Sequence, residues 1–253
     1  MIKRSVLFSV LLRSYFIQAL WNFERMQNIG FLFGALPLLR SLYPDPGERK
    51  AALLRHINYF NTNPYMVSII FGMVASFEED IKSGKTSQPD QVNVLKNNMA
   101  GPLAAIGDTF FWTTWRPFSV LAAIGAALVL FKFKVRVNEL IVSAIFIFVY
   151  NVVPVPFRYW SLNVSYNLRE KIIELIASLE FQYIVDVVKM VSIIALAFVF
   201  LLYFFSYAEN LFQMVVFFGV FLLSILFGCF RFSAAIMFAG VIVLSIIVAY
   251  LRG

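Results

Sequence analysis

Four long apolar runs constrain the fold of this chain more than any other feature. They cover residues 110–131, 187–207, 211–230 and 232–251. Each run holds about 20 residues, which is the length that an α-helix needs to cross the hydrocarbon of a bilayer. Backbone amides inside a bilayer must be hydrogen-bonded within the protein, so such runs cross as helices. The sequence therefore predicts an all-α, polytopic membrane protein.

The composition agrees with this prediction and excludes other classes. Hydrophobic residues make up 61% of the chain and charged residues 14%, whereas roughly 25% of a soluble domain is charged. The net charge of +7 is scattered around apolar segments, which suits cytoplasmic loops and anionic lipid headgroups better than nucleic acid. Cys229 is the single cysteine, so an internal disulfide is excluded.

The other segments predict helices that lie beside or on the membrane. Residues 5–20 have the pattern of an amphipathic, interfacial helix, and residues 166–186 have that of a second one. The apolar run 140–154 is short for a span, so a re-entrant or tilted segment is expected. The chain divides into an N-terminal helical region, 1–100, and a membrane-spanning region, 101–253.

Local signals predict several helix starts and one close helix contact. Asp45, Asn63 and Asp90 each stand where an N-cap side chain is expected, the first two directly before proline. Gly30 and Gly34 are four residues apart in a helical pattern, which allows a neighbouring segment to approach closely.

The stretch 98–117 departs from an ordinary apolar segment. Gly101 and Pro102 are expected to interrupt a helix, and Asp108 and Arg116 follow among Leu, Ile, Phe and Trp. Transporters place polar groups at such helix breaks, near their substrates. Two interpretations of Asp108 stay open: it caps a helix that begins at Thr109, or its charge pairs with Arg116 or orients a substrate.

This stretch and three others carry a family resemblance. The others are residues 21–31, the motif Phe60-Asn61-Thr62-Asn63-Pro64 and the pair Glu78-Glu79. From about residue 13 to residue 169, the chain resembles the IID component of the mannose/fructose/sorbose family of the bacterial phosphotransferase system (PTS). The family motif usually has histidine where this chain has Asn63, which argues against an essential imidazole there.

The resemblance implies a mechanism and a set of partners. In this family, soluble IIA and IIB components carry phosphoryl groups on histidines, and the membrane components IIC and IID together translocate the sugar, which IIB phosphorylates. The resemblance thus implies a multi-pass permease subunit of the bacterial cytoplasmic (inner) membrane with IIC as its obligatory partner. It also implies an oligomer of IIC–IID pairs and an elevator-like movement.

The residues themselves indicate that no phosphoryl transfer passes through this chain. The segment 101–107 lacks the Lys-Ser/Thr ending of a phosphate-binding loop. His56, the only histidine, stands within a helical pattern beside Arg55. We expect neither a cofactor nor a metal site.

Sugar hydroxyls are recognised best by neutral amides and by carboxylates with fixed geometry. The predicted substrate-binding residues are of this kind, with one arginine as a charge partner: Asn61, Asn63, Glu78, Glu79, Asp108 and Arg116. Each also has a structural interpretation. Asn63 would cap a helix, the two glutamates would face water at a helix end, and Arg116 would extend its charge to the membrane surface.

Two other functions compete with the permease subunit. The first is a IID-like membrane scaffold or interaction protein that does not transport. The second is a stand-alone secondary transporter, which is disfavoured because the pattern lacks two matched transport repeats.

Overall fold

The computed structural model describes residues 1–85, 88–135, 138–169 and 171–207, and six further single positions. Within these ranges the regular elements are helices, joined by turns and irregular segments with isolated β-bridges at Met26. The helices are α1 (Arg4–Ser14), α2 (Asn28–Leu42), α3 (Pro46–His56), α4 (Val67–Lys82), α5 (Gln91–Gly107), a π-helical segment (Asp108–Trp115), α6 (Arg116–Lys132), α7 (Glu139–Asn151), α8 (Pro154–Leu168), α9 (Lys171–Ser178) and α10 (Phe181–Tyr207). The all-α prediction is confirmed.

The helix-start predictions have different outcomes. The Asp45 carboxylate accepts a 2.8 Å hydrogen bond from the Glu48 amide at the start of α3, as predicted. Asp90 already has helical backbone angles, and its side chain makes no capping hydrogen bond. Its backbone carbonyl accepts from the Asn93 and Val94 amides instead. The prediction for Asp90 was therefore wrong, because the backbone is already helical at this residue, one position before α5 begins.

Helix α4 forms the centre of the core and packs closely against α8. A Cβ atom at Gly72 would lie 1.9 Å from Ser165 Oγ and 2.4 Å from the Leu162 carbonyl oxygen. The glycines of α2 act in the same way, as predicted: a Cβ atom at Gly30 would lie 2.0 Å from the Ile17 carbonyl oxygen, and one at Gly34 would lie 2.4 Å from the Phe71 ring. These contacts are all within the chain.

The stretch 98–117 does not break the helix. Helix α5 passes through Gly101 and Pro102 and continues through the π-helical segment into α6. In the π-helical segment, the hydroxyls of Thr113 and Thr114 both donate to the Thr109 carbonyl, at 2.6 and 2.8 Å. The prediction of a broken helix at Gly101 and Pro102 was therefore wrong, because the backbone stays helical throughout and has a widened turn at the π-helical segment instead. A proline in a membrane helix is tolerated where neighbouring groups and local winding satisfy the backbone.

Among the residues that the structure describes, three helical stretches are long and apolar enough to cross a membrane. They are Gln91–Lys132, Glu139–Leu168 and Phe181–Phe204. Most of the short run 140–154 lies in α7, which ends at Asn151, and α8 begins after two intervening residues, at Pro154. The two helices together reach the length of a span.

The predicted amphipathic helices are shorter than expected. Helix α1 ends at Ser14, and turns follow up to residue 20. Residues 166–186 are not one helix, because α8 ends at Leu168 and Arg169 has a positive φ of 56°. Helix α9 and the first turns of α10 make up the rest. The predicted spans 211–230 and 232–251, with Cys229, lie outside the described ranges.

Candidate functional site

The buried carboxylate of Glu78 binds three side chains from α3 and the end of α2. Arg55 donates from Nε and Nη2, each at 2.9 Å, to the two carboxylate oxygens. His56 Nε2 lies 2.8 Å from Oε1, and the Tyr43 hydroxyl donates to Oε2 at 2.7 Å. Glu78 and His56 are fully buried. The expectation that Glu78 faces water was wrong, because its partners lie more than 20 residues away in the sequence.

The charge state of this cluster follows from its contacts. Burial raises the pKa of Glu78, but the hydrogen bonds that His56, Arg55 and Tyr43 donate to its carboxylate outweigh burial and lower the pKa to about 2. Burial lowers the pKa of His56. At neutral pH, Glu78 is therefore ionised, and a neutral His56 donates its Nε2–H to Glu78.

A second polar contact joins Asn63 to Asp108. The Asn63 amide oxygen accepts from the Tyr65 backbone amide at 2.9 Å, and its Nδ2 donates to Asp108 Oδ1 at 2.8 Å. Asn63 thus satisfies a free amide before α4, close to its predicted role, although the regular helix begins at Val67. Gly107 makes room for the contact, since a Cβ atom there would lie 2.5 Å from Asn63 Cβ.

Asp108 itself is neither a helix cap nor a partner of Arg116. It has helical backbone angles within the continuous helix, so it has no free first-turn amides to cap. Arg116 is exposed, and its guanidinium lies 5.8 Å from the centre of the Trp112 ring. Eight residues of helix separate two side chains by roughly 12 Å. Asp108 is therefore an exposed carboxylate, held by Asn63, in a helix that is apolar enough to cross a membrane.

The remaining predicted residues lie apart from this pair. Asn61 is exposed. Glu79 accepts from the Tyr166 hydroxyl at 2.8 Å, and its other oxygen lies 2.7 Å from the amino group of Met1. Of the six predicted residues, Asn63 and Asp108 are the two that the structure joins by a hydrogen bond.

Tyrosines and an arginine next to this pair were missed by the sequence reasoning. The hydroxyls of Tyr65 and Tyr150 lie 2.6 Å apart. The Arg158 guanidinium lies 5.1 Å from the Tyr65 ring and 4.4 Å from the Tyr15 ring, and it donates to Ser14 Oγ at 3.1 Å. Arg158 is only 3% exposed. The position of Arg158 inside an apolar run could have indicated this cluster from the sequence, because a charged side chain there needs polar or aromatic partners.

Lys96 is a second buried cation that was missed. Its Nζ lies 5.0 Å from the centre of the Phe31 ring and 5.6 Å from that of Phe60. It also lies 3.5 Å from the His56 carbonyl oxygen. The sequence could have indicated its burial, because Lys96 lies at helical spacing between the apolar residues Val92 and Met99, which are buried.

Comparison with known proteins identifies the family. A family model described as the PTS system mannose/fructose/sorbose family IID component matches residues 1–194. The chain belongs to this family. It is 38% identical to the mannose-specific EIID component of Escherichia coli (strain K12) over 159 residues, which are 62% of this chain and 53% of that protein. It is 33% identical to the fructose permease IID component of Bacillus subtilis (strain 168) over 165 residues, which are 65% of this chain and 57% of that protein. This IID component thus spans about half the length of these relatives.

Solved structures share the fold of this IID component. One, described as the structure of a membrane protein, superimposes with a TM-score of 0.72 at 25% identity and covers 99% of this chain and 97% of that one. The cryo-EM structure of the mannose transporter ManYZ in complex with microcin E492 contains a chain that matches with a TM-score of 0.60 at 24% identity. That match covers 100% of this chain and 98% of the other, and it shows the fold alone.

Proposed function

We propose that this IID component translocates a hexose or a related sugar across the bacterial cytoplasmic membrane, together with a IIC membrane subunit. IIB would then phosphorylate the sugar, after receiving its phosphoryl group from IIA. Family membership and the three helical stretches in the described part of the chain that are long enough to cross a membrane support this role. The sole histidine is fully buried against Glu78, which is consistent with phosphoryl transfer on the soluble components.

The hydrogen-bonded pair of Asn63 and Asp108 is the observation that carries the proposal. An exposed carboxylate in an apolar helix is costly unless a polar partner or ligand faces it. Asn63 fixes one oxygen of Asp108, so the carboxylate is oriented before a ligand arrives. An oriented carboxylate can accept hydrogen bonds from sugar hydroxyls without carrying out any covalent chemistry. We propose that Asp108 contacts the sugar and that Asn63 positions the Asp108 carboxylate.

The same geometry argues that Glu78 has a different role. Donors from Arg55, His56 and Tyr43 already occupy both of its oxygens. A sugar hydroxyl could bind Glu78 only by displacing one of them. We therefore assign Glu78 to the internal packing of α3 against α4.

The test is sugar uptake by the Asp108→Asn variant in the assembled complex. Losing a hydrogen bond to a charged group costs about 1.5–3 kcal/mol, so uptake should fall by roughly 10- to 100-fold. Asp186→Asn is the matched control, because Asp186 is also exposed in an apolar helix and accepts from an amide, Gln182 Nε2, at 2.9 Å. Asp186→Asn should transport normally.

Assembly must be measured in the same preparations. Co-purification of IIC should be unchanged in both variants. Normal uptake by Asp108→Asn in an assembled complex would reject the role of Asp108. An assembled wild-type complex that takes up no PTS sugar would instead favour the scaffold.

A further inference from the structure

A groove between α1 and α8 has the properties of a lipid site. Its volume is about 740 Å³, which is within the range of small-molecule pockets. The two helices run antiparallel: the Ile2 amide donates to the Tyr166 hydroxyl at one end, and Arg158 donates to Ser14 at the other. The groove therefore has two ends that can be compared.

The polar side chains of the lining lie mostly at one end of the groove, among apolar ones such as Ile2 and Val164. At the end where α1 begins and α8 finishes, the lining includes Arg4, Ser5, Asn163 and Asn167. Towards the other end, it includes Phe8, Leu11 and Trp160. An amphiphile with a polar head and an apolar chain has this same order of groups.

The charge at the polar end is positive. Arg4 is exposed, and no carboxylate in the described part of the chain forms an ion pair with it. Basic residues at the edge of a membrane helix attract anionic headgroups. Helix α8 belongs to a helical stretch that is apolar enough to cross a membrane, so the surrounding bilayer is the nearest source of an amphiphile.

We propose that this groove binds one anionic glycerophospholipid, with its phosphate beside Arg4 and an acyl chain along Phe8, Leu11 and Trp160. The occupant would join α1 to α8 from outside, where the chain itself leaves a gap. The site is separate from the pair of Asn63 and Asp108, and it does not depend on sugar transport.

The experiment measures lipid retained by the purified complex. Detergent-washed protein is incubated with mixed micelles that contain equal amounts of phosphatidylglycerol and phosphatidylcholine, and the bound lipids are quantified by mass spectrometry. Wild-type protein should retain phosphatidylglycerol in preference to phosphatidylcholine. A basic residue near the headgroups contributes about 1 kcal/mol, so Arg4→Glu should lower this preference by at least about fivefold.

Two further variants separate the groove from general surface charge. Arg40→Glu reverses an exposed charge on α2, away from the groove, and should leave the preference unchanged. Asn163→Trp fills the polar end and should lower retention of both lipids. Equal retention in wild type, Arg4→Glu and Asn163→Trp would overturn the proposal. Equal binding of the two lipids by the wild-type protein would also overturn it. So would protection of the Ser5→Cys thiol from a thiol reagent in lipid-free complex, because a protein subunit would then cover the groove.

Discussion

Replacing Glu78 by glutamine should destabilise the protein more than any other single change from carboxylate to amide in its described part. Glutamine has nearly the same shape, so the change removes charge without creating a cavity. It leaves the Arg55 guanidinium, which is 12% exposed, without its ion-pair partner. It also replaces one of the two acceptor oxygens, which His56, Arg55 and Tyr43 share, by an NH₂ donor.

The size of the effect follows from these contacts. Removing one partner of a buried ion pair costs about 3–5 kcal/mol. Because Arg55 is partly exposed, we take the lower end of this range, about 3 kcal/mol, as the cost of Glu78→Gln. For a chain of this size, each kcal/mol lowers the melting temperature by about 2–4 °C. We therefore expect Glu78→Gln to lower the melting temperature by about 6–12 °C.

The assay is a thermal melt of the purified protein in detergent, followed by size-exclusion chromatography of the heated samples. Glu48→Gln is the matched control: Glu48 pairs with Lys82, but the two side chains are 49% and 38% exposed. Surface pairs contribute about 0–1 kcal/mol, so this control should melt within about 4 °C of wild type. A Glu78→Gln protein as stable as Glu48→Gln would refute the assignment of Glu78 as a buried anchor.

Three further predictions concern helix packing, the pH dependence of stability and phosphorylation. Gly72→Ala should lower the melting temperature because its Cβ would lie 1.9 Å from Ser165 Oγ, whereas Gly101→Ala, with nothing within 4 Å, should be neutral or stabilising by up to about 1 kcal/mol; equal melting of the two would contradict this packing. Stability should fall as the pH drops below 6.5, because burial lowers the pKa of His56, and again below 4.5, because the folded pKa of Glu78 is about 2; melts at a series of pH values test the slope, and greater stability at pH 4 than at pH 7 would contradict it. Labelled phosphoenolpyruvate and the general PTS proteins should label IIA and IIB but not this chain; an acid-labile label here that His56→Gln abolishes would disprove the assignment.

The sequence predicts features whose causes are local. The apolar runs predict membrane helices because their length alone determines whether such a helix can cross the bilayer. Asp45 predicts the start of α3 because the cap and its amide are three residues apart. Gly30 and Gly34 predict close contact because only the size of the residue matters.

Contacts between distant segments could not be predicted in this way. Glu78 stands in a run of three acidic residues that resembles a solvated helix end, and nothing nearby reveals that Arg55 and His56 will bind it. Proline is expected to interrupt a helix, yet α5 continues through Pro102. Asn63 and Asp108 were predicted individually, but their contact depends on how α5 packs against the segment before α4.

The π-helical segment between α5 and α6 has a consequence for sequence changes. Each turn of a π-helix holds one residue more than an α-helical turn, so Asp108–Trp115 behaves like an insertion that the helix has absorbed. Deleting one residue here, such as Thr113, would let the segment rewind as an α-helix and rotate everything after it relative to α5. The indole of Trp115, which now donates to the Tyr150 carbonyl at 2.9 Å, would then face another direction. Length variation among homologous chains should therefore be tolerated in the loops on either side of this helix but not within these eight positions.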